Sequence, residues 1–200
     1  MTKITTIEEL ETHYGAAVPR SLTKVADHLT PAYARWIMAS RFMVLSTVGP
    51  EGTDASPRGD DGSVVRIDGP SRILLPDWMG NNRIDSLRNI VRDPRVSVMF
   101  MVPGSGNVVR VNGQGAVLAD ADLLASFEKA GKQPRTVIEI TVDEVYFQCA
   151  KALIRSELWA GRDDSAMVPT AGELIQEAEA GFDAKGYDDG YAEYARPRLW

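Results

Sequence analysis

Cysteine and histidine are scarce in this chain of 200 residues, which contains one cysteine and two histidines. The single Cys149 excludes an intramolecular disulfide and is typical of a reducing compartment. His13 and His28 lie far from any cysteine or acidic pair at ligand spacing, so neither a zinc site nor a Ser–His–Asp triad is expected. The sequence therefore predicts no metal site, and it leaves the catalytic residues unknown.

Long apolar runs and an excess of positive charge are also missing. No stretch approaches the roughly 20 apolar residues that span a bilayer, and the opening MTKITTIEEL lacks the apolar core of a signal peptide. The formal net charge of -6 argues against general binding to nucleic acid or anionic membranes. We expect a cytoplasmic protein with no nucleic-acid or membrane partner.

Neither of the two common nucleotide-binding motifs occurs. The chain has no G-x-x-x-x-G-K-[ST] loop, and no G-x-G-x-x-G joins a strand to a helix, which argues against P-loop and Rossmann sites. The composition is otherwise ordinary for a folded protein, with 44% hydrophobic and 25% charged residues.

Three regions of different character follow one another without a linker, so a single domain over residues 1–200 is predicted. Residues 1–40 are typical of short helices, the first capped by Thr6. Residues 41–160 alternate apolar runs such as FMVLSTV with turn formers such as GPEG. Residues 161–200 return to helix in an acidic tail that ends in RPRLW.

The middle region favours a closed or partly closed β-barrel. Short strands joined by hairpin turns are typical of antiparallel barrels, whereas a doubly wound sheet needs helices between most strands. Two helices are predicted, at about 83–91 and 120–129. The fold class is therefore mainly β, with peripheral helices. Strands are predicted at 42–48, 53–58, 63–67, 72–75, 95–102, 108–118 and 136–147.

The stretch GNNRIDSLRNIVRDPRVSVMF, residues 80–100, combines a polar loop, a short helix and a buried strand. Asn81, Asn82 and Arg83 come at the start of the helix. The first N–H groups of a helix have no internal partner and the helix dipole favours an anion there. Arg83 would add a charge-assisted contact, so this loop is a candidate phosphate site.

Other basic residues lie at the ends of predicted strands. Arg58 follows an extended segment in SPRGD, and Gly59 would permit close approach of a ligand. Lys151 and Arg155 are four residues apart in CAKALIRSELW and share a face if that segment is helical. For each of these residues alone, a solvated surface charge is the simpler interpretation.

Three further residues are given structural roles in preference to functional ones. Cys149 lies two residues before Lys151, which would lower its thiol pKa, but a small buried residue at a strand end is expected. Trp78 and Trp159 would be able to stack beside a planar ligand, but core packing or an interface anchor is the preferred interpretation.

The order of these segments resembles the pyridoxamine 5′-phosphate oxidase-like FMN-binding split-barrel family over about residues 36–159. The resemblance rests on FMVLSTVGPEGTDASPRGD, RILLPDWMGNNRIDSLRNIVRDPRVSVMFMVPG and VVRVNGQGAVL. Within the family the chain is similar to a branch of bacterial FMN-dependent oxidoreductases through its CAKALIRSELW segment.

The resemblance implies a six-stranded antiparallel split barrel that forms a homodimer with two FMN sites at the interface. It implies an FMN-dependent oxidoreductase with a small-molecule redox substrate and NAD(P)H as one candidate electron donor. Within one chain, the residues that it assigns to the flavin are Arg58, Gly59, Leu75, Pro76, Asp77, Asn81, Asn82 and Arg83. From the second subunit of the dimer it assigns the residues matching Arg110, Lys151, Arg155 and Ser156.

The chain departs from the oxidase itself at three places. Arg58 is followed by Gly-Asp-Asp-Gly instead of a hydrophobic run and a lysine, Ile84 replaces the second basic residue of the phosphate loop, and RPRLW has no match for the substrate-binding arginine and histidine. These departures argue against vitamin B6 oxidase activity and leave the substrate open. Two alternatives remain: a binder of deazaflavin F420 or haem on the same fold, and a non-catalytic flavin carrier or sensor.

Overall fold

The computed structural model describes residues 1–200 and is built on one sheet of seven strands in the order β2-β1-β5-β6-β7-β4-β3. Every pairing in the sheet is antiparallel. The predicted class, mainly β with peripheral helices, is therefore confirmed. The strands are β1 Phe42–Gly49, β2 Gly52–Gly59, β3 Arg66–Ile67, β4 Arg72–Asp77, β5 Arg95–Met101, β6 Val108–Leu118 and β7 Thr136–Gln148.

The strand count corrects the six that the family resemblance implies. The additional strand is β3, whose two residues pair with the start of β4 at the edge of the sheet. Val64 and Val65, just before it, are buried in the core, and Val64 donates its N–H to the Ser40 carbonyl at 2.9 Å. Burial of these two valines draws the segment against the sheet, so its last residues pair with β4.

The core is a single cluster that lies against one face of the sheet. Successive strand residues point to opposite faces, and in β5 the buried residues Val96, Val98 and Phe100 alternate with partly exposed ones. Ile37, on a helix before β1, is fully buried in the same cluster. The alternation of apolar and polar residues along each strand thus determines which face of the sheet packs against the core.

Eight helices flank the sheet, and several are shorter than the sequence predicts. The Thr6 cap is present, since its side chain accepts the Glu9 N–H at 3.2 Å. The helix predicted at 120–129 ends at Ala125, and Lys129 pairs with Lys132 in an isolated bridge. The helices are α1 Ile7–Glu11, α2 Pro19–Thr23, α3 Pro31–Met38, α4 Asp85–Arg92, α5 Ala121–Ala125, α6 Lys151–Ser156, α7 Ala171–Ala178 and α8 Ala184–Ala195.

Helix α4 is held closely against the β1–β2 hairpin. The Asn89 side chain is buried and donates from Nδ2 to Thr47 Oγ1 at 3.1 Å. A Cβ at Gly49 would lie only 2.3 Å from Asn89 Oδ1, so glycine permits this close approach. At the other end of the helix, the Ser86 hydroxyl donates to Asp54 on β2. These contacts fix the position of the first turn of α4.

Helices α7 and α8 pack against each other after the barrel. The Gly172 N–H donates to Asp188 Oδ1 at 2.9 Å, and a Cβ at Gly172 would lie 2.4 Å from the Ala184 carbonyl oxygen. A short 3-10 helix at Arg196–Arg198 then leads back toward the sheet. None of the helices has the length and apolar character needed to cross a membrane.

Candidate functional site

A cleft of about 820 Å³ lies where the ends of β2 and β4 meet the start of α4. Its volume falls within the roughly 300–1,000 Å³ that sites for small molecules and cofactors occupy. The sequence-predicted residues that line it are Arg58, Gly59, Leu75, Pro76, Asp77, Asn81, Asn82 and Arg83. The structure therefore brings together all the residues that the resemblance assigns to one chain.

The residues assigned to a second subunit lie elsewhere. Arg110 on β6 is near Ser97, with Nη2 3.4 Å from the hydroxyl oxygen. Lys151, Arg155 and Ser156 are exposed on α6. None of the four lines the cleft. Their part in cofactor binding stays a prediction about the assembled dimer.

An ion pair between Arg58 and Asp77 joins two sides of the cleft. Arg58 Nη1 donates to Asp77 Oδ1, and the side chains are only 20% and 16% exposed. Arg58 lies on β2 and Asp77 on β4, and four strands separate these two in the sheet order. The pair can form only because the sheet curls round on itself. The sequence did not predict this pairing.

The loop before α4 has an unusual backbone. Asn82 and Ile84 have φ angles of 62° and 54°, a left-handed conformation that asparagine tolerates but that strains a β-branched residue. Ile84 is the N-cap of α4 and makes no side-chain capping bond. The helix predicted from residue 83 therefore starts at Asp85, and the first turn has N–H groups available for an anion.

The charges that line the cleft balance one another, with three arginines and three aspartates. Both arginines predicted from the sequence have carboxylate partners, because Arg83 Nε donates to Asp85 Oδ2 at 2.9 Å and Arg58 is held by Asp77. Arg135 differs from both. Its Nη1 donates to the neutral amide oxygen Asn82 Oδ1 at 2.9 Å, and it forms no salt bridge. Sequence reasoning missed Arg135, which immediately precedes β7.

Three buried side-chain polar atoms in the chain have no hydrogen-bond partner: Arg58 Nε, Trp78 Nε1 and Thr136 Oγ1. All three residues line this one cleft. A buried polar group without a partner costs about 1–3 kcal/mol, and folded proteins leave few of them. The unmet hydrogen-bonding capacity of the chain is therefore concentrated at this cleft.

Two interpretations of single residues need correction. Core packing is wrong for Trp78, which lines the cleft and is not part of the core cluster, whereas its role as an interface anchor stays a prediction. Cys149 is exposed, not buried, because it follows the last residue of β7 at the turn into α6. The backbone N–H of Lys151, and to a smaller extent its charge, lowers the pKa of the Cys149 thiol. Cys149 does not line the cleft.

The side chains of this chain form no cluster suited to a metal ion, and the cleft contains no imidazole. No group of three His, Cys, Asp or Glu side chains is arranged to hold a metal ion. Neither histidine lines the cleft.

Comparison with known proteins gives one match that covers most of the barrel. Residues 29–149, more than half of the chain, match the family described as pyridoxamine 5′-phosphate oxidase. No curated protein matches the chain.

Several solved structures share low sequence identity with the chain. HupZ from Group A Streptococcus is 16% identical, covers 58% of this chain and 91% of its own, and gives a TM-score of 0.47. A protein from Lactobacillus delbrueckii, named provisionally as a pyridoxamine 5′-phosphate oxidase, is 19% identical over 60% of this chain and 95% of its own, with a TM-score of 0.48. An FMN-binding protein from Syntrophomonas wolfei is 15% identical over 57% of this chain and 78% of its own, with a TM-score of 0.42. By the family match, the chain belongs to the pyridoxamine 5′-phosphate oxidase family.

Proposed function

We propose that the chain binds FMN in the 820 Å³ cleft and acts as an FMN-dependent oxidoreductase. The observation that carries the proposal is the cluster of unpartnered polar atoms in that cleft. Arg58 Nε and Trp78 Nε1 are donors, and the Thr136 hydroxyl can donate or accept. An isoalloxazine ring and a ribityl chain carry carbonyl, ring-nitrogen and hydroxyl groups that match these atoms. Membership of the family supports the same assignment.

The phosphate of FMN would lie at the first turn of α4. The N–H groups there lack a side-chain cap, and the helix dipole favours negative charge at that end. Arg83 and Arg135 line the same cleft. Arg135 is the better supported of the two, because its charge has no carboxylate partner, whereas a phosphate must compete with Asp85 for Arg83.

When bound, FMN would supply the electron and hydride transfer chemistry, and the protein would orient it and limit its access to water. The Arg58–Asp77 pair would keep the Arg58 guanidinium fixed at the cleft wall. Hydride transfer needs no general acid or base on the protein, which agrees with a cleft that contains no histidine. A haem in this cleft would have no imidazole ligand from this chain.

We further propose that the functional unit is a homodimer and that its second subunit completes each site with the residues matching Arg110, Lys151, Arg155 and Ser156. The support is that Lys151, Arg155 and Ser156 are exposed on α6 and Arg110 is half-buried on β6, and that all four lie outside the cleft of their own chain. The substrate is proposed to be a small redox molecule, with NAD(P)H as a candidate donor.

The deciding experiment is the visible spectrum of the purified protein, followed by mass spectrometry of the ligand that denaturation releases. A flavin spectrum and the mass of FMN are expected. Absence of a chromophore, together with no change on titration with FMN, contradicts the proposal. The spectrum of a deazaflavin or a haem would instead identify that cofactor as the ligand of the cleft.

Turnover then separates an enzyme from a carrier or sensor. The FMN-loaded protein is mixed with NAD(P)H and a series of electron acceptors. Catalysis predicts that an acceptor speeds reoxidation through many cycles. Slow reduction that no acceptor accelerates would support the carrier or sensor instead.

A further inference from the structure

The segment after α8 returns to the rim of the cleft and is anchored there. The Trp200 ring lies edge-to-face against Trp78, with centroids 5.6 Å apart and planes at 76°. The Lys129 ammonium lies 3.7 Å from the centroid of the Trp200 ring. In addition, Lys132 Nζ donates to the Pro197 carbonyl. Aromatic and cation–π contacts of this kind hold a chain segment in a defined position.

Lys129 connects this segment to the loop that follows Arg58. Its ammonium also binds the carboxylates of Asp60 and Asp61, and the Asp60 side chain is only 9% exposed. Trp200 is therefore tied through Lys129 to the end of β2 and through Trp78 to the end of β4. These are the two strands that form the cleft walls.

The anchored segment contributes directly to the cavity surface. Leu199 lines the 820 Å³ cleft. Trp78, the ring on which Trp200 packs, lines both that cleft and a second cavity of about 360 Å³. Pro76 is also shared by the two cavities. Leu199 and Trp200 thus stand beside the end of β4, whose residues Pro76 and Asp77 the family resemblance assigns to the flavin.

We propose that Leu199, held in place by the docking of Trp200 on Trp78, forms one wall of the flavin site and limits access to the bound ring to small redox molecules. The inference rests on the proposed function, because it assumes a flavin in the cleft. It adds that specificity for the electron acceptor depends on a segment more than 100 residues away in sequence from Pro76 and Trp78. Trp200 acts as a positioning residue, since its contact is with Trp78.

The test compares Trp200→Ala with Tyr191→Ala. Tyr191 is a matched control because it also belongs to an aromatic pair, with its ring centroid 5.7 Å from that of Tyr187, and it does not line the cleft. Before flavin is added, circular dichroism should show loss of the Trp78–Trp200 exciton couplet in Trp200→Ala alone. This readout needs no activity.

With FMN bound, three results are expected for Trp200→Ala. Iodide should quench the flavin fluorescence about two- to tenfold more efficiently, and the Kd for FMN should rise by a similar factor, as expected for loss of an aromatic pair. Reoxidation by a bulky acceptor such as cytochrome c should speed up while reoxidation by benzoquinone stays unchanged. Trp200→Phe, which keeps an aromatic edge, should behave like the wild type.

The possible failures differ from one another. If the wild-type protein binds no FMN, the proposed function fails and this inference fails with it. If FMN binds but Trp200→Ala matches Tyr191→Ala in quenching and acceptor preference, only the inference is overturned. Should Trp200→Ala not fold, Trp200→Leu replaces it, since leucine keeps an apolar side chain but no ring.

Discussion

Arg58 and Asp77 form an ion pair between two strands that are separated by four others in the sheet. Both side chains are largely buried, and the Nε of Arg58 is left without a partner at the cleft wall. The pair therefore links the ends of β2 and β4 at the cleft, and Arg58 keeps further guanidinium N–H groups that Asp77 does not use. Removing either member leaves the other charge unpaired in a poorly solvated position.

A double-mutant cycle on this pair separates its two roles. Arg58→Ala is expected to weaken FMN binding by about 2–4 kcal/mol, because a charge-assisted contact is lost. Both single variants should lower the free energy of unfolding, and Arg58→Ala/Asp77→Ala should lower it by less than their sum. Isothermal titration and urea denaturation measure the two effects. Unchanged FMN affinity in Arg58→Ala would mean that the ligand lies elsewhere.

Arg135 should act on the phosphate and not on the ring. Arg135→Gln is expected to raise the Kd for FMN about tenfold or more, since a contact to a charged group contributes about 1.5–3 kcal/mol. The Kd for riboflavin, which lacks the phosphate, should stay the same. Arg162→Gln is the control, because Arg162 pairs with Asp164 outside the cleft. If Arg135→Gln weakens the binding of FMN and riboflavin equally, Arg135 contacts the flavin ring or stabilises the fold instead of binding the phosphate.

The left-handed backbone at Ile84 stores strain that a better-suited residue would release. Ile84→Asn should raise the free energy of unfolding by about 1 kcal/mol, because asparagine tolerates a φ of 54° and the isoleucine is 46% exposed. Ile154→Asn serves as the control, since Ile154 is exposed on α6 with no positive φ. Urea denaturation gives both values. A less stable Ile84→Asn variant would show that the side-chain contacts outweigh the strain.

A shared site predicts complementation between two defective chains. One variant carries Arg58→Ala and the other carries Lys151→Ala with Arg155→Ala. Neither should bind FMN well alone, but hybrid dimers contain one site in which every contributing residue is intact. Random mixing should therefore restore about one quarter of the sites. Differently tagged subunits, refolded together and titrated with FMN, provide the measurement.

Two results would argue against the shared site. One is a stable monomer by light scattering that still binds FMN. The other is a mixture whose affinity never exceeds that of its parents.

Cys149 should ionise at a lower pH in the folded protein than in the unfolded chain. Its thiol pKa is lowered mainly by the backbone N–H of Lys151, so Lys151→Ala should keep most of the shift. The pH dependence of iodoacetamide alkylation, followed with and without urea, gives the folded and unfolded midpoints. A midpoint in Lys151→Ala equal to that in urea would instead assign the shift to the lysine charge.

The strands were predictable because the alternation of apolar residues indicates which face of each strand is buried. Strand β6, for example, was predicted at its observed limits, 108–118. The asparagine–arginine loop was also predictable, since its residue types are local signals. The Arg58–Asp77 pair was not, because it depends on closure of the whole barrel. The left-handed Ile84, the role of Arg135 and the docking of Trp200 on Trp78 likewise arise from contacts between distant segments or from backbone angles that no local pattern encodes.

The missing side chain at Gly49 has a consequence for the opposite end of α4. A Cβ at position 49 would lie 2.3 Å from Asn89 Oδ1, so a larger residue there would displace the buried Asn89 side chain and break its hydrogen bond to Thr47. That bond is one of the contacts that hold α4 on the hairpin, although Gly49 itself does not line the cleft. The proposed phosphate site at the first turn of α4 thus depends on a residue in a hairpin that would touch no ligand.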